Sequence, residues 1–493
     1  MERLVLSSAQ KALKINLNEN IYGTFAEIGA GQEVVRHFFR VGGASGTVAK
    51  TMSAYDKDFS DAIYGREDDG RYVTEMRLRK MLDHEYGLIE ERLSREKFPN
   101  KCFFAFANTV ATINFTRKFK GHGWMGMRFQ LHPKQAPNDV IFHIRMKEEE
   151  ASLQQETIGV MGVNLIYGCF HIRNNAVEVL RSLYDNIAKY KVEIDMVHFE
   201  GPEFSQVDNR LMSLQLLKYG MTEAVIFGPE GKNILPAALL YKKNILAMRG
   251  SFRPVTKVNI DMLKKGIQYF LEERKVEREN LVVLFEITLN NLKAEGEIDE
   301  QDFLDRAEIL CSLGQTVLIS NYQQYYKLVE YFTRYSEERM GLIMGVTNLK
   351  DLFDERYYRE LKGGILAAFG ILYSTDLKIY VYPSQPSEKA KLETSQDLKI
   401  HPRLRPLFDY LVFNRRLIDI ETYDPEILQI FSRAVLKKIK NGEGGWEDDL
   451  PAYVDNIIRE KRLFGYDPAN YPEEERKRRE RGFDEKDAPE LLH

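Results

Sequence analysis

The sequence predicts an α/β protein in three parts: an N-terminal α+β domain over residues 1–157, a mostly parallel α/β sheet or barrel over 158–383, and a helical C-terminal extension over 384–493. Three observations predict it. Apolar or alternating runs separated by turn-rich pieces crowd residues 102–146, as in antiparallel sheets. From residue 158 on, short apolar runs alternate with helical periodicity, the rhythm of parallel strands joined by crossover helices. Beyond residue 397 the apolar residues recur mostly at helical spacing.

In the first domain, 74-TEMRLRKMLDHEYGLIEERLSRE-96 spaces Met76, Leu78, Met81, Leu82, Leu88, Ile89 and Leu93 as an amphipathic helix. The runs 102–110, 124–131 and 140–146 read as strands, with turns such as 132-HPKQAPND-139 between them. In the second domain, strands are expected at 160–168, 193–200, 223–228, 244–249, 281–288, 315–320, 340–346 and 377–383. Helical patterns fill most intervals; that of 207–220 has Asp208 or Asn209 as its cap and Gly220 as its stop. So many strands suit a closed barrel or an open doubly wound sheet equally. Residues 384–397 read as a polar linker or exposed loop. Asp424-Pro425 is an N-cap and first-turn pair, opening a helix that carries Ile427, Leu428, Ile430, Phe431, Val435 and Ile439 and ends near Asn441-Gly442. The terminus, 473–487, mixes both charge signs and reads as a solvated helix or tail.

Composition excludes several function classes. The 493 residues carry 70 Lys and Arg against 74 Asp and Glu, a net charge of −4, which argues against a dedicated nucleic-acid binder. The basic run at 477–481 is flanked by acids, so RNA is not an expected partner. Cys102, Cys169 and Cys311 have neither zinc-ligand spacing nor a plausible disulfide pairing; they read as buried small hydrophobes of a reducing cytosol. The longest apolar stretch, 363-GGILAAFGILY-373, is too short to span a bilayer, and 1-MERLVLSSAQKALKIN-16 lacks the apolar core of a signal peptide. The expectation is a cytoplasmic protein with no membrane partner. The 26 Tyr, 28 Phe and charged tail suit the interfaces of a homo-oligomer.

Two regions carry candidate chemistry. In 25-FAEIGAGQEVVRHFFRVGGASGTVAKT-51, a Gly-x-Gly turn before a helix offers backbone N–H groups to an anion. EIGAG resembles the first glycine motif of Rossmann-type methyltransferases, but no long strand is read before it, and Gln32 and Glu33 follow where another glycine is expected. The second turn, with Gly42, Gly43, Gly46 and Lys50, is closer to a phosphate nest, without the Gly-Lys-Ser/Thr ending of a P-loop. The other region is the set of strand ends in the α/β half, where such folds bind ligands. There His198, Glu200, Arg249, Ser251, Arg253, Glu286 and Asn321 are expected on one rim. The arginines, with Ser251 and Asn321, would hold a phosphorylated ligand, and Glu200, His198 or Glu286 would move a proton. The nine histidines form no HExxH or other short metal-ligand cluster, so no metal is assigned, and the cofactor is left open.

The stretches IYGTFAEIGAGQEVVRHFFRVGGASGTVAKTMSAYDKDFSDAIYG, GVNLIYGCF and YKKNILAMRGSFRPVTKV resemble a family of bacterial proteins of similar length, without an established activity, over most of the chain. Relatives have carried the labels TonB-dependent receptor and nicotinate-nucleotide adenylyltransferase. A receptor of that kind needs many amphipathic barrel strands, and the usual adenylyltransferase needs an HxGH motif; this sequence has neither, so the resemblance transfers no functional residue. Two functions remain: an enzyme binding a phosphorylated metabolite or nucleotide at strand carboxyl ends, and a non-catalytic homo-oligomeric structural or regulatory protein.

Overall fold

The computed structural model describes residues 3–471 apart from 69, 94, 118–119, 295–296 and 388; the charged stretch 473–487 lies outside the described residues. The chain is α/β and divides into two units, Met1–Glu223 and Ala224–His493, so the first unit runs past the boundary expected at residue 157.

The first unit contains, in order, α1 (Ser8–Asn16), β1 (Ile21–Gly29), α2 (Glu33–Arg40), β2 (Val48–Ser53), α3 (Lys57–Tyr64), α4 (Glu75–Arg92), β3 (Cys102–Ala111), β4 (His122–Phe129), β5 (Asn138–Met146), α5 (Ala151–His171), α6 (Ala176–Ser182), β6 (Val192–Glu200) and α7 (Asn209–Lys218). Its six strands form one sheet in the order β2-β1-β3-β4-β5-β6. β2, β1 and β3 run parallel, and β4, β5 and β6 continue as an antiparallel meander. One face buries Phe25, Phe106, Met127, Phe142 and Ile144 with Ile158, Met161 and Leu165 of α5. Leu78 and Leu82 of α4 cover the other face, at Gly126. The chain steps outward from β1 to β2, then returns across β1 to β3, so the sheet reverses direction between β1 and β3.

Residues 160–168, expected as a strand, lie inside α5. This helix is buried nearly all round, and a buried helix and a buried strand give the same unbroken apolar run. Gly159 and Gly162 bring α5 against α2: a Cβ at Gly162 would meet Val34 at 2.5 Å. With 160–168 helical, strand 192–200 has no parallel neighbour to join; it closes the meander instead, antiparallel to β5.

The second unit contains β7 (Ala224–Phe227), β8 (Asn233–Ile234), α8 (Pro236–Leu240), β9 (Asn244–Arg249), α9 (Lys257–Leu271), β10 (Leu281–Thr288), α10 (Leu289–Leu292), the ribbon β11 (Lys293–Ala294) and β12 (Glu297–Ile298), α11 (Glu300–Ser312), β13 (Thr316–Ser320), α12 (Tyr325–Thr333), β14 (Met340–Gly345), α13 (Val346–Leu352), α14 (Gly364–Leu372), β15 (Leu377–Tyr382), α15 (Arg405–Phe413), β16 (Leu417–Asp419), α16 (Ser432–Asn441) and α17 (Val454–Lys461). Eight strands form a sheet in the order β16-β15-β14-β9-β10-β13-β7-β8. It is open, not a barrel. Its six parallel strands follow the 3-2-1-4-5-6 order of doubly wound dinucleotide-binding sheets, with β9 first and β16 last.

Two details of the expected C-terminal extension differ. It supplies an edge strand, β16, as well as helices. The helix expected from Asp424 starts only at Ser432, because the Asp424 carboxylate accepts the N–H of Glu426 in a local turn; Gly442, at φ 72°, ends it as expected. Among the described residues no helix is long and apolar enough to cross a membrane.

Candidate functional site at the carboxyl edge of the first sheet

The residues expected on one rim fall on two different sheets. Arg249 ends β9 and Glu286 lies two residues before the end of β10, as expected, with Ser320 ending β13 beside them. Their polar atoms are already engaged. Nε and Nη2 of Arg249 donate to the two carboxylate oxygens of Glu286 at 2.7 and 2.9 Å, and the same guanidinium donates to the carbonyls of Tyr322 and Gln323. Ser320 Oγ donates to Glu286 at 2.6 Å. The Arg249 guanidinium also stacks on the Tyr325 ring, 4.2 Å from its centroid. Arg253 pairs with Asp302, which also holds Arg306, and the carbonyl of the exposed Ser251 accepts from Arg306. Asn321 follows β13 at the surface. At the start of α9, Thr256 and Asn259 cap each other's backbone N–H groups, and Phe252 is buried against Phe285. The ion pair knits β9 to β10, and four hydrogen bonds to protein acceptors occupy most of the Arg249 guanidinium.

His198 and Glu200 belong to the first sheet. They lie on the strand end that meets the amino ends of β1 and β3, where Glu200 is exposed and pairs with Arg79 and His198. The glycine turn is at that amino edge too. Gly42 and Gly43, at φ 80° and 74°, end α2, and Asn16 Nδ2 donates to the carbonyls of Phe38 and Gly42. Gly46 closes a single turn before β2, and Lys50 pairs with the buried carboxylate of Glu85 at 2.5 Å. These glycines shape a helix stop, and the lysine is neutralised.

The opposite, carboxyl edge of the first sheet carries groups of a different kind. A nine-residue strand, β1, runs into EIGAG and includes its first three residues, contrary to the sequence reading, and the Gly-x-Gly turn sits at the reversal between β1 and β3, the place where doubly wound sheets bind ligands. Gly29 has φ 82°, and a Cβ there would meet the carbonyl oxygen of Val110 at 2.1 Å. Glu27 and Asn108 are register partners across β1 and β3, on the face covered by α2 and α5. Both are buried. Burial pushes the Glu27 carboxyl up to about 8, against a backbone N–H from Val35 that favours its charged form and with Glu33 adding to the rise. Glu27 Oε1 and both amide atoms of Asn108 have no hydrogen-bond partner among the described residues; leaving such a group unpaired costs about 1–3 kcal/mol.

On the other face of the same edge, three side chains form a hydrogen-bonded chain. Asp195 Oδ1 lies 2.6 Å from His143 Nδ1, and His143 Nε2 lies 3.2 Å from His122 Nδ1. Asp195 is the extra residue of a β-bulge, since His143 pairs with Met196 and Ile144 with Ile194. Bulges re-aim side chains, and this one turns a carboxylate onto a histidine. His143 and Asp195 are buried, Trp124 lies against His143 with centroids 5.0 Å apart, and His122 is half-buried. The two contacts are met together if the carboxylate takes the Nδ1–H of His143 and its Nε2 accepts from Nδ1–H of His122; in that arrangement His122 Nε2 keeps its lone pair. Burial, and then the neighbouring His143, pull His122 down to about 4, so it is uncharged at neutral pH. Among the described residues, no group of three or more His, Cys, Asp or Glu side chains could hold a metal ion.

The sequence reading starts this strand at residue 124, after His122, and singles out none of His143, Asp195, Glu27 and Asn108. The signal for Asp195 was present: core residues Val192, Ile194, Val197 and Phe199 break strict alternation by one residue. Glu27 is the lone polar residue of FAEIG, and Asn108, next to Thr109, interrupts the apolar run of FAFANTV. A cleft of ≈ 470 Å³ opens at the amino edge, lined by Asn18, Asn20, Cys102, Gln130, His132 and Arg173 among others. It lies away from both polar arrays.

No family model matches this sequence, and no curated protein matches it. Among solved structures, the chain is similar to the competence/damage inducible protein CihA from Agrobacterium tumefaciens, at 14% identity over 37% of this chain and 99% of that one, with a TM-score of 0.23. A competence-damaged protein (CinA) superfamily protein from Enterobacter cloacae matches at 9% identity over 37% and 96%, with a TM-score of 0.24. Likeness of this size carries no conclusion about the fold or chemistry of this chain.

Proposed function

We propose that the protein is an enzyme that works by general-base catalysis at the carboxyl edge of its first sheet, on a nucleotide or phosphorylated metabolite. The observation that carries this reading is the chain Asp195–His143–His122. A carboxylate orients one imidazole, that imidazole orients a second, and the second presents a bare nitrogen at a sheet edge. His122 Nε2 takes a proton from a bound substrate or water; His143 and Asp195 are positioning residues that fix its tautomer and share the charge. Arg145, the register partner of His122 on β5, brings positive charge to the same row for an anionic substrate, balanced by Glu193 on its other side.

Histidine side-chain ¹H–¹⁵N correlation spectra of the full-length protein test it. The expectation at neutral pH is His122 protonated at Nδ1 with Nε2 bare, and loss of that fixed tautomer in Asp195→Asn. A His122 carrying its proton on Nε2 in the wild type would overturn the reading. So would a screen with nucleotides in which His122→Gln and wild type turn over the same substrate equally.

A further inference from the structure

The Glu27–Asn108 pair does not belong to the histidine chain: it lies on the opposite face of the sheet and touches none of its members. We propose that this pair is the subsite for the uncharged part of the substrate, the hydrogen-bonding edge of a nucleobase; the proposal rests on the nucleotide reading given above.

Four observations lead there. The two residues face each other across β1 and β3, at the reversal of the strand order, where a crevice forms in doubly wound sheets. Three of their four side-chain polar atoms have no partner among the described residues, although both residues are buried. The turn above them is built of glycines that press on β3: a Cβ at Gly31 would lie 1.9 Å from Asn108 Oδ1. The set of donors is neutral, because burial keeps the Glu27 carboxyl protonated at pH 7.

A neutral carboxyl beside a neutral amide offers donors and acceptors side by side. That suits the edge of a purine or pyrimidine, which presents a donor beside an acceptor and pairs in two-point fashion with an amide side chain. It does not suit phosphate. Glu33 follows the turn directly, and the nearby Arg36 is paired with it at 2.9 Å. The Gly29–Gln32 turn covers the pair, so the base reaches it when that turn swings outward; opening breaks the bonds that the Ala30 N–H donates to the Val110 carbonyl and that Gln32 Nε2 donates to Ser53 Oγ.

Equilibrium dialysis of the full-length protein against adenosine, guanosine, cytidine and uridine tests this without asking for turnover. Wild type should bind at least one of them. Asn108→Leu and Glu27→Leu should each bind at least tenfold more weakly while staying folded by circular dichroism, and Lys232→Gln, at an exposed surface pair, should bind as wild type does. Binding of none of the four nucleosides by wild type would overturn the proposal, as would undiminished binding in either folded leucine variant. Should one leucine variant fail to fold, the other decides. Nucleoside binding that is lost in the leucine variants, together with an untouched histidine tautomer in Asp195→Asn, would keep the subsite and discard the general base, so the two readings fail separately.

Discussion

Gly31 occupies a position where the Asn108 amide leaves no room for a side chain: a Cβ there would lie 1.9 Å from Oδ1 and 2.2 Å from Nδ2. The glycine is therefore set by a contact across strands, not by a backbone angle. Gly31→Ala should destabilise the protein by about 1–3 kcal/mol through overpacking. In an Asn108→Ala background most of that cost should vanish, because the colliding atoms are gone. Urea unfolding of the four proteins in the cycle measures the coupling. Equal costs in both backgrounds would show that Gly31 answers to something other than Asn108.

Glu27 makes stability depend on pH in a direction unusual for a carboxyl. Its folded value, about 8, lies above the ordinary glutamate value of 4.5. Between these values the unfolded chain gives up a proton that the folded protein keeps, so each pH unit of rise favours the unfolded state by about 1.4 kcal/mol. The contribution of Glu27 is fully present below pH 4.5 and is lost as pH climbs through about 8. Glu27→Gln, which cannot ionise, should gain stability relative to wild type across this window and run parallel to it above. Unfolding midpoints at pH 5, 6.5 and 8 would check it, and a constant difference between the two proteins would disprove it.

The Arg249–Glu286 pair should behave as structure. Both side chains are nearly inaccessible, at 8% and 0%. Arg249→Met leaves a buried carboxylate with only Ser320 as its neutral side-chain partner and should cost about 3–5 kcal/mol; removing both charges, as in Arg249→Met with Glu286→Leu, should recover much of it. Chemical unfolding of the single and double variants reads both values. A single variant as stable as wild type would return Arg249 to the set of ligand-binding candidates.

Most strands of both sheets were legible because period-two and unbroken apolar runs survive in the sequence whatever lies beside them. The second sheet's rim was legible in part: Arg249, Glu286 and Ser320 do meet at adjacent strand ends. That they bond to one another is a matter of distance, which no spacing encodes. The error over 160–168 came from burial, since a helix covered on all sides shows no periodicity, and it moved His198 and Glu200 onto the wrong sheet. The arrays at the carboxyl edge of the first sheet were hidden for another reason. Glu27 and Asn108 are 81 positions apart in chain numbering, Asp195 and His122 are 73 apart, and only strand pairing makes them neighbours.

The bulge at Asp195 also has a genetic side. Val192 and Ile194 before it, and Val197 and Phe199 after it, all face the core. Removing the single codon for Asp195 would turn this strand into an unbroken alternation with every core residue still inward. The carboxylate that orients His143 would go while the sheet stayed. An ancestor without the carboxylate and a descendant with it are therefore separated by one in-frame insertion, and the chemistry of this edge was open to gain or loss in a lineage without the fold being rebuilt.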